Sequence, residues 1–166
     1  MEITIPKGSH YSSGMSLGGV HTGRTEMRFL VKMDYSGLVL PNNSSCIGDF
    51  NKLFGWSYGM HHTNSFRIGW KAIDPVTVDG KKIGTKYRIA AYCYQNGIRY
   101  VKGFCNIMPD EMVEMYIERE GQAVYFGCNG KETIYMYKGS TGWGYDLNPY
   151  YGGNCTAPET IKITLI

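Results

Sequence analysis

The segment "MHHTNSFRIGW", Met60 to Trp70, concentrates side chains able to do chemistry: His61, His62, Asn64, Ser65 and Arg67. Paired histidines raise metal binding or proton transfer, and a nearby arginine raises anion recognition. A metal needs three or four converging ligands. On an extended chain His61 and His62 point to opposite faces, so at most one reaches any given site. His10 and His21 lie in loop-like N-terminal segments. A site built from His10 and one of the pair requires those loops to meet. The reading preferred here is imidazoles bonded to loop carbonyls, with no metal and no cofactor.

Arg67 alternates with Phe66 and Ile68, which should face a core. It therefore points out of the sheet. Arg88 shares its parity with Tyr92 and Tyr94. If the two strands are neighbours, Arg67, Arg88, Tyr92 and Tyr94 occupy one face. Arginine offers a rigid donor fork, and tyrosine a flat apolar ring with a hydroxyl. That combination suits a sugar ring, a carboxylated glycan or a phosphorylated small ligand. Plain cross-strand Arg–Tyr packing is the structural alternative.

A Gly-rich stretch, "GSTGWGYDLNPYYGGNCTAP" (139–158), carries Trp143, Tyr145, Tyr150 and Tyr151. Read as one long loop, it is either functional or packed on itself. Its aromatics, with His62 and Asn64, form a candidate rim. A second long loop is expected from Ser36 to Met60, folded back through Phe50, Phe54 and Trp56. No Walker-type loop, nucleophile elbow or Cys-His signature occurs. Glu114 and Glu118 share a strand parity but stand about 13 Å apart, too far for a glycosidase pair. Arg67, His62, Asn64 and Tyr92 supply the residue types of a lyase.

The elements that must position these side chains are strands. The dominant period is two: "EMRFLVKMD", "SFRIGWKAI" and "KYRIAAYCY" all alternate. Asn96-Gly97 and Asn129-Gly130 are hairpin turns, because a type I′ turn needs positive φ twice. Strands near 86–94, 98–107, 112–119, 123–128 and 131–138 should form a meander. "MPDEMVEMY" has a helical look, but Val113, Met115 and Ile117 alternate, so a strand after a turn is preferred. "MEITIP" and "TIKITLI" should pair antiparallel. The expected fold is an all-β antiparallel sandwich.

Composition agrees. The 166 residues include 22 Gly and 14 Tyr, suited to tight turns and half-buried strands. Without a repeat, tract or linker, residues 1–166 read as one domain. A net charge of +3 with scattered Lys and Arg argues against nucleic acid. No run approaches the roughly 18 apolar residues of a membrane helix, and the N-terminus lacks a signal-peptide core. A cytoplasmic or virion-associated protein is expected. Five widely spaced cysteines without a C-x-x-C pair read as reduced, buried thiols.

The strand order, with both chain ends closing one sheet, resembles the concanavalin-A-like jelly-roll sandwiches. The phrases "IPKGSHYS", "NKLFG", "NSFRIGW", "AYCYQNG" and "NPYYGGNCTAPETIKITLI" resemble small uncharacterised β-sandwich proteins of gut bacteria and their phages. That likeness transfers no activity and no residue role. The resulting reading is a non-catalytic binding module for a carbohydrate or other small polar ligand, or a phage-associated accessory protein. A lyase-like polysaccharide enzyme is the alternative. A structural homo-oligomer built through Tyr-rich faces is the third reading.

Overall fold

The computed structural model describes residues 1–14 and 16–166. Two antiparallel sheets stack into a jelly-roll sandwich. The seven-stranded sheet contains β1 (Glu2–Ile5), β2 (Ser13–Gly14), β4 (Glu26–Met33), β11 (Met112–Glu120), β12 (Ala123–Cys128), β13 (Lys131–Met136) and β15 (Ile161–Leu165), in the order β13-β12-β11-β4-β15-β1-β2. The six-stranded sheet contains β3 (Val20–Thr22), β5 (Asn51–Ser57), β6 (Ser65–Ile73), β9 (Lys86–Gln95), β10 (Ile98–Ile107) and β14 (Trp143–Leu147), in the order β10-β9-β6-β5-β14-β3. A small hairpin, β7 (Val76–Val78) and β8 (Lys81–Ile83), stands apart from both sheets.

The alternation seen in the sequence builds the core. Val31, Met115, Phe126 and Ile163 point inward from one sheet, and Trp56, Phe66, Ile68 and Ile89 from the other. The two layers meet edge to face, with Phe29–Phe54 ring centroids 5.0 Å apart and Phe66–Phe126 6.5 Å apart. Edge-to-face geometry sets the positive rim of one ring on the negative face of the other. The chain ends pair as expected, with Ile3 opposite Ile163 and Ile5 opposite Ile161. The N-terminal ammonium donates to the Leu165 carbonyl at 2.7 Å.

Both Asn-Gly turns take the required conformation, with φ of 50° and 79° at Asn96 and Gly97 and 50° and 78° at Asn129 and Gly130. "MPDEMVEMY" turns at Asp110 and continues as β11. The expected meander, however, is split. β9 and β10 belong to one sheet, and β11, β12 and β13 to the other. The chain changes layers after Ile107, where no Asn-Gly turn holds it in plane.

Two stretches expected to be loops contain strands. β5 lies inside 36–60, and all seven of its residues are buried. A bulge inserts Leu53 between Lys52, opposite Gly69, and Phe54, opposite Ile68. The extra residue breaks the alternation by which strands are recognised. β14 lies inside 139–158 and bridges β5 and β3. Its Gly144 packs against the Ser57 carbonyl so closely that no Cβ fits there.

The cysteine expectation is corrected in part. Cys93, Cys105 and Cys128 are buried free thiols, but Cys46 and Cys155 form a disulfide. They are 109 positions apart in sequence with Cα atoms 6.0 Å apart. That proximity arises only once β5 and the segment after β14 are side by side. Among the described residues, no helix is long and apolar enough to cross a membrane.

Candidate functional site

The outer face of the six-stranded sheet carries a cavity of about 970 Å³. β6 lies between β5 and β9, so Arg67 stands opposite Gly55 on one side and Tyr92 on the other. Gly55, Gly69 and Ala90 share this face of the sheet with Arg67. At Gly55 a Cβ would collide with the Phe66 carbonyl.

Three cations line the cavity: Lys52, Arg67 and Arg99. Lys52 is 9% exposed. Its ammonium donates to the Gly152 carbonyl at 2.9 Å and lies 4.7 Å from the Tyr92 ring centroid. Burial, reinforced by Arg67, pushes its pKa down to about 8. Arg67 donates through Nη2 to the Asn148 carbonyl at 2.9 Å, while its shielded Nε has no partner. Burial lowers its pKa to about 10. Neither residue forms a salt bridge among the described residues. Arg99 is more exposed, and its interaction with the Tyr92 side chain raises its pKa.

The carboxylates present do not cancel this charge. Asp146 is already paired with Arg24, at 2.7 Å between Oδ1 and Nε. Asp49 lines the cavity near Phe50 and Gly153. It raises the Lys52 pKa, but this effect is smaller than those of burial and Arg67.

At the other end sit both histidines. Residues 61–63 form a turn rather than an extended chain. His61 and His62 therefore both line the cavity, with ring centroids 4.2 Å apart. This overturns the expectation that only one of them reaches a given site. The Tyr145 hydroxyl lies 2.6 Å from His61 Nδ1 and accepts the His61 backbone N–H at 3.2 Å. Burial, with help from His62 and Arg67, lowers the His61 pKa and favours the neutral imidazole. In the tautomer that leaves Nδ1 unprotonated, the imidazole accepts the tyrosine proton. His62 meets the Tyr94 ring edge-on at 5.6 Å. No group of three His, Cys, Asp or Glu suited to a metal occurs among the described residues.

The segment after β14 walls the remaining side. Tyr150 stacks on His10 at 5.3 Å and exchanges backbone hydrogen bonds with Lys52. Gly152 N–H donates to Asn51 Oδ1 at 2.6 Å. The Cys46–Cys155 disulfide fastens this wall to the segment that carries Gly48 and Asp49.

Of the residues singled out in the sequence, Arg67, Tyr92, Tyr94, His62 and Tyr150 converge on the cavity. Arg88, Asn64 and Trp143 lie outside its lining. Arg88 shares the face of Arg67 but stands opposite Lys71, bonded to Asn106 and to the Gly103 carbonyl. Asn64 is buried and anchors two turns, accepting from Asn96 N–H and donating to Ser140. Trp143 is exposed near the outer edge, opposite Thr22. Lys52 and Arg99 escaped sequence reasoning. Arg99 was within reach, because a two-residue turn at Asn96-Gly97 sets it opposite Tyr94. Lys52 was hidden by the bulge.

No protein-family model matches this chain, and no curated protein matches it. Solved structures do resemble it. A polysaccharide lyase of family 18, aly-SJ02, matches with a TM-score of 0.52 and 10% identity, over 97% of this chain and 80% of that one. An alginate lyase from Alteromonas sp. 272 matches with a TM-score of 0.48 and 8% identity, over 90% of this chain and 70% of that one. The carbohydrate-binding module CBM66 from Bacillus subtilis matches with a TM-score of 0.40 and 7% identity, over 93% and 82%. At these identities the likeness is one of fold.

Proposed function

We propose that the cavity binds an acidic carbohydrate, with a carboxylate held by Lys52 and Arg67 and sugar rings laid against Tyr92, Tyr94 and Tyr150. The observation that carries this reading is a pair of cations, Lys52 buried and Arg67 half-buried with its Nε shielded, that have no carboxylate partner among the described residues. Burying an unpaired charge is costly, and a resident anion offsets that cost. Tyrosine rings add flat apolar area with a hydroxyl at the edge, suited to a ring with one apolar face. A fold shared with a polysaccharide lyase supports a carbohydrate over other small anions. The test is calorimetric titration with uronate oligosaccharides and their neutral counterparts. Saturable binding of the acidic series alone, weakened at least tenfold by Arg67→Ala, is the expected result. Equal binding of the neutral series would remove the role given to the cations.

A second reading has its own observation. The Tyr145 hydroxyl and the neutral His61 imidazole form a hydrogen-bonded pair beside Arg67. In a β-eliminating lyase, Arg67 would neutralise the uronate carboxylate and so acidify the adjacent C5–H. The Tyr145–His61 pair would take that proton as the bond to the O4 leaving group breaks, leaving a C4–C5 double bond. Turnover separates this enzyme from a binding module.

A further inference from the structure

The three cations of the cavity are arranged along a line. Lys52 on β5 stands opposite Gly69, two residues from Arg67 on β6. Arg67 stands opposite Tyr92 on β9, and Tyr94, two residues on, stands opposite Arg99 on β10. Each step moves in the same direction both across the strands and along them. With strands about 4.8 Å apart and same-face residues about 6.8 Å apart, the Cα spacing is about 8 Å from Lys52 to Arg67. It is about 12 Å from Arg67 to Arg99, and about 20 Å end to end.

We propose that the cavity takes an oligomeric acidic carbohydrate, its chain laid obliquely across the sheet from Lys52 through Arg67 to Arg99. This rests on the acidic-carbohydrate reading and adds the ligand's length and direction. A single acidic sugar satisfies the buried end of the line and leaves Arg99 without a ligand charge. The space is sufficient: about 970 Å³ is at the upper end of the range of about 300–1,000 Å³ typical of small-ligand pockets.

The ground between the cations suits sugar rings. Tyr92 and Tyr94 lie between Arg67 and Arg99, their rings 6.0 Å apart. Tyr92 and Arg99 line the same cavity, which carries the aromatic ground out to the end of the line. Of the carboxylates that line the cavity, Asp146 is tied to Arg24, and Asp49, beside Gly153, acts on Lys52 and Arg99 without a salt bridge to either. A nucleic acid is also a polyanion, but two of the three cations here are set into a cavity floor, whereas backbone phosphates are met by exposed ones.

The experiment is a calorimetric ladder of oligouronates from one to six units, with a single-stranded oligonucleotide of equal charge alongside. Wild type is expected to gain at least tenfold in affinity between one unit and four, then level off. Arg99→Ala should flatten that climb, costing the longer oligomers more affinity than the single unit. Lys52→Met and Arg67→Ala should weaken every length, and Lys162→Ala, on the opposite sheet, none. A single unit binding as tightly as four overturns the proposal and leaves the acidic-carbohydrate reading standing. So does an unchanged ladder in Arg99→Ala. Equal binding of the oligonucleotide overturns it in favour of a general polyanion site. No binding at any length overturns both.

Discussion

Lys52 and Arg67 stand on neighbouring strands of one sheet face, offset by two residues, and neither pairs with a carboxylate among the described residues. Each instead donates to a single backbone carbonyl of the same wall, Lys52 to Gly152 and Arg67 to Asn148. A sheet built for stability alone would place apolar or paired residues here. Holding two like charges together in a low-dielectric cleft costs stability and creates a strong field for an anion.

It follows that Arg67 opposes stability while serving binding. Arg67→Met keeps the aliphatic stem and removes the half-buried charge. The loss of one hydrogen bond to Asn148 offsets part of the gain. The net change is expected between zero and about 2 kcal/mol of added stability. Ligand affinity should fall at least tenfold in the same variant. Denaturant unfolding and titration of the same preparation check both. A large loss of stability would mark Arg67 as a structural brace.

The disulfide should matter to both fold and site. A cross-link over 109 positions restricts the unfolded chain, and such bonds contribute about 2–5 kcal/mol. Reduction, or Cys46→Ser with Cys155→Ser, should lower the unfolding midpoint accordingly. It should also weaken ligand binding, because the wall carrying Asn148, Tyr150 and Gly152 is released at one end. Alkylation of denatured, unreduced protein should label Cys93, Cys105 and Cys128 alone. Labelling of all five cysteines would mean that the bond is absent.

How far the site was legible follows from what each residue depends on. Arg67, Tyr92 and Tyr94 were readable because strand parity alone sets their face, and parity survives any arrangement of the rest. Tyr150 and His62 were readable as rim residues, since aromatic and imidazole groups on long connections rarely lie far from a cleft. The bulge at Leu53 concealed β5 and, with it, Lys52. His61 was lost to an assumed extended backbone, where the chain in fact turns. The disulfide depends on two connections meeting in space, which no local pattern encodes. Asn64 shows the opposite failure: a polar residue beside histidines looked chemical, yet it anchors the turns at Asn96 and Ser140.

The lyase reading turns on one hydroxyl. Tyr145→Phe keeps the ring, the edge-on contact with His61 and the packing of β14. It removes the group 2.6 Å from Nδ1. If the protein cleaves uronate polymers, this variant should lose turnover by about 100-fold or more while binding oligomers as tightly as wild type. The ultraviolet absorbance of the new double bond reports the reaction directly. Absence of that signal in wild type, with binding intact, leaves a module without chemistry.

Lys52 makes the pH dependence distinctive. Its pKa is lowered from 10.5 to about 8 in the folded protein. Between those values the folded state holds the neutral amine while the unfolded chain still holds a proton. Unfolding then takes up protons, so this residue's contribution to stability rises as pH climbs through the window. It is fully present above the unfolded pKa and lost as pH falls through about 8. Ligand binding has the opposite sign, since an anion needs the ammonium. Affinity for an oligouronate should therefore fall above pH 8 while Lys52 raises stability. Other groups add to the pH dependence: burial raises Tyr137 and Tyr151 to about 12 in the folded protein, whereas in the unfolded chain they titrate near 10. The measurement is thus a difference: unfolding free energy and affinity from pH 7 to 10 for wild type and Lys52→Met. The wild type should gain stability on the variant as pH rises, and lose its advantage in affinity. Parallel curves for the two proteins would mean that Lys52 titrates as an ordinary exposed lysine, and the cation at the cavity floor would then be Arg67 alone.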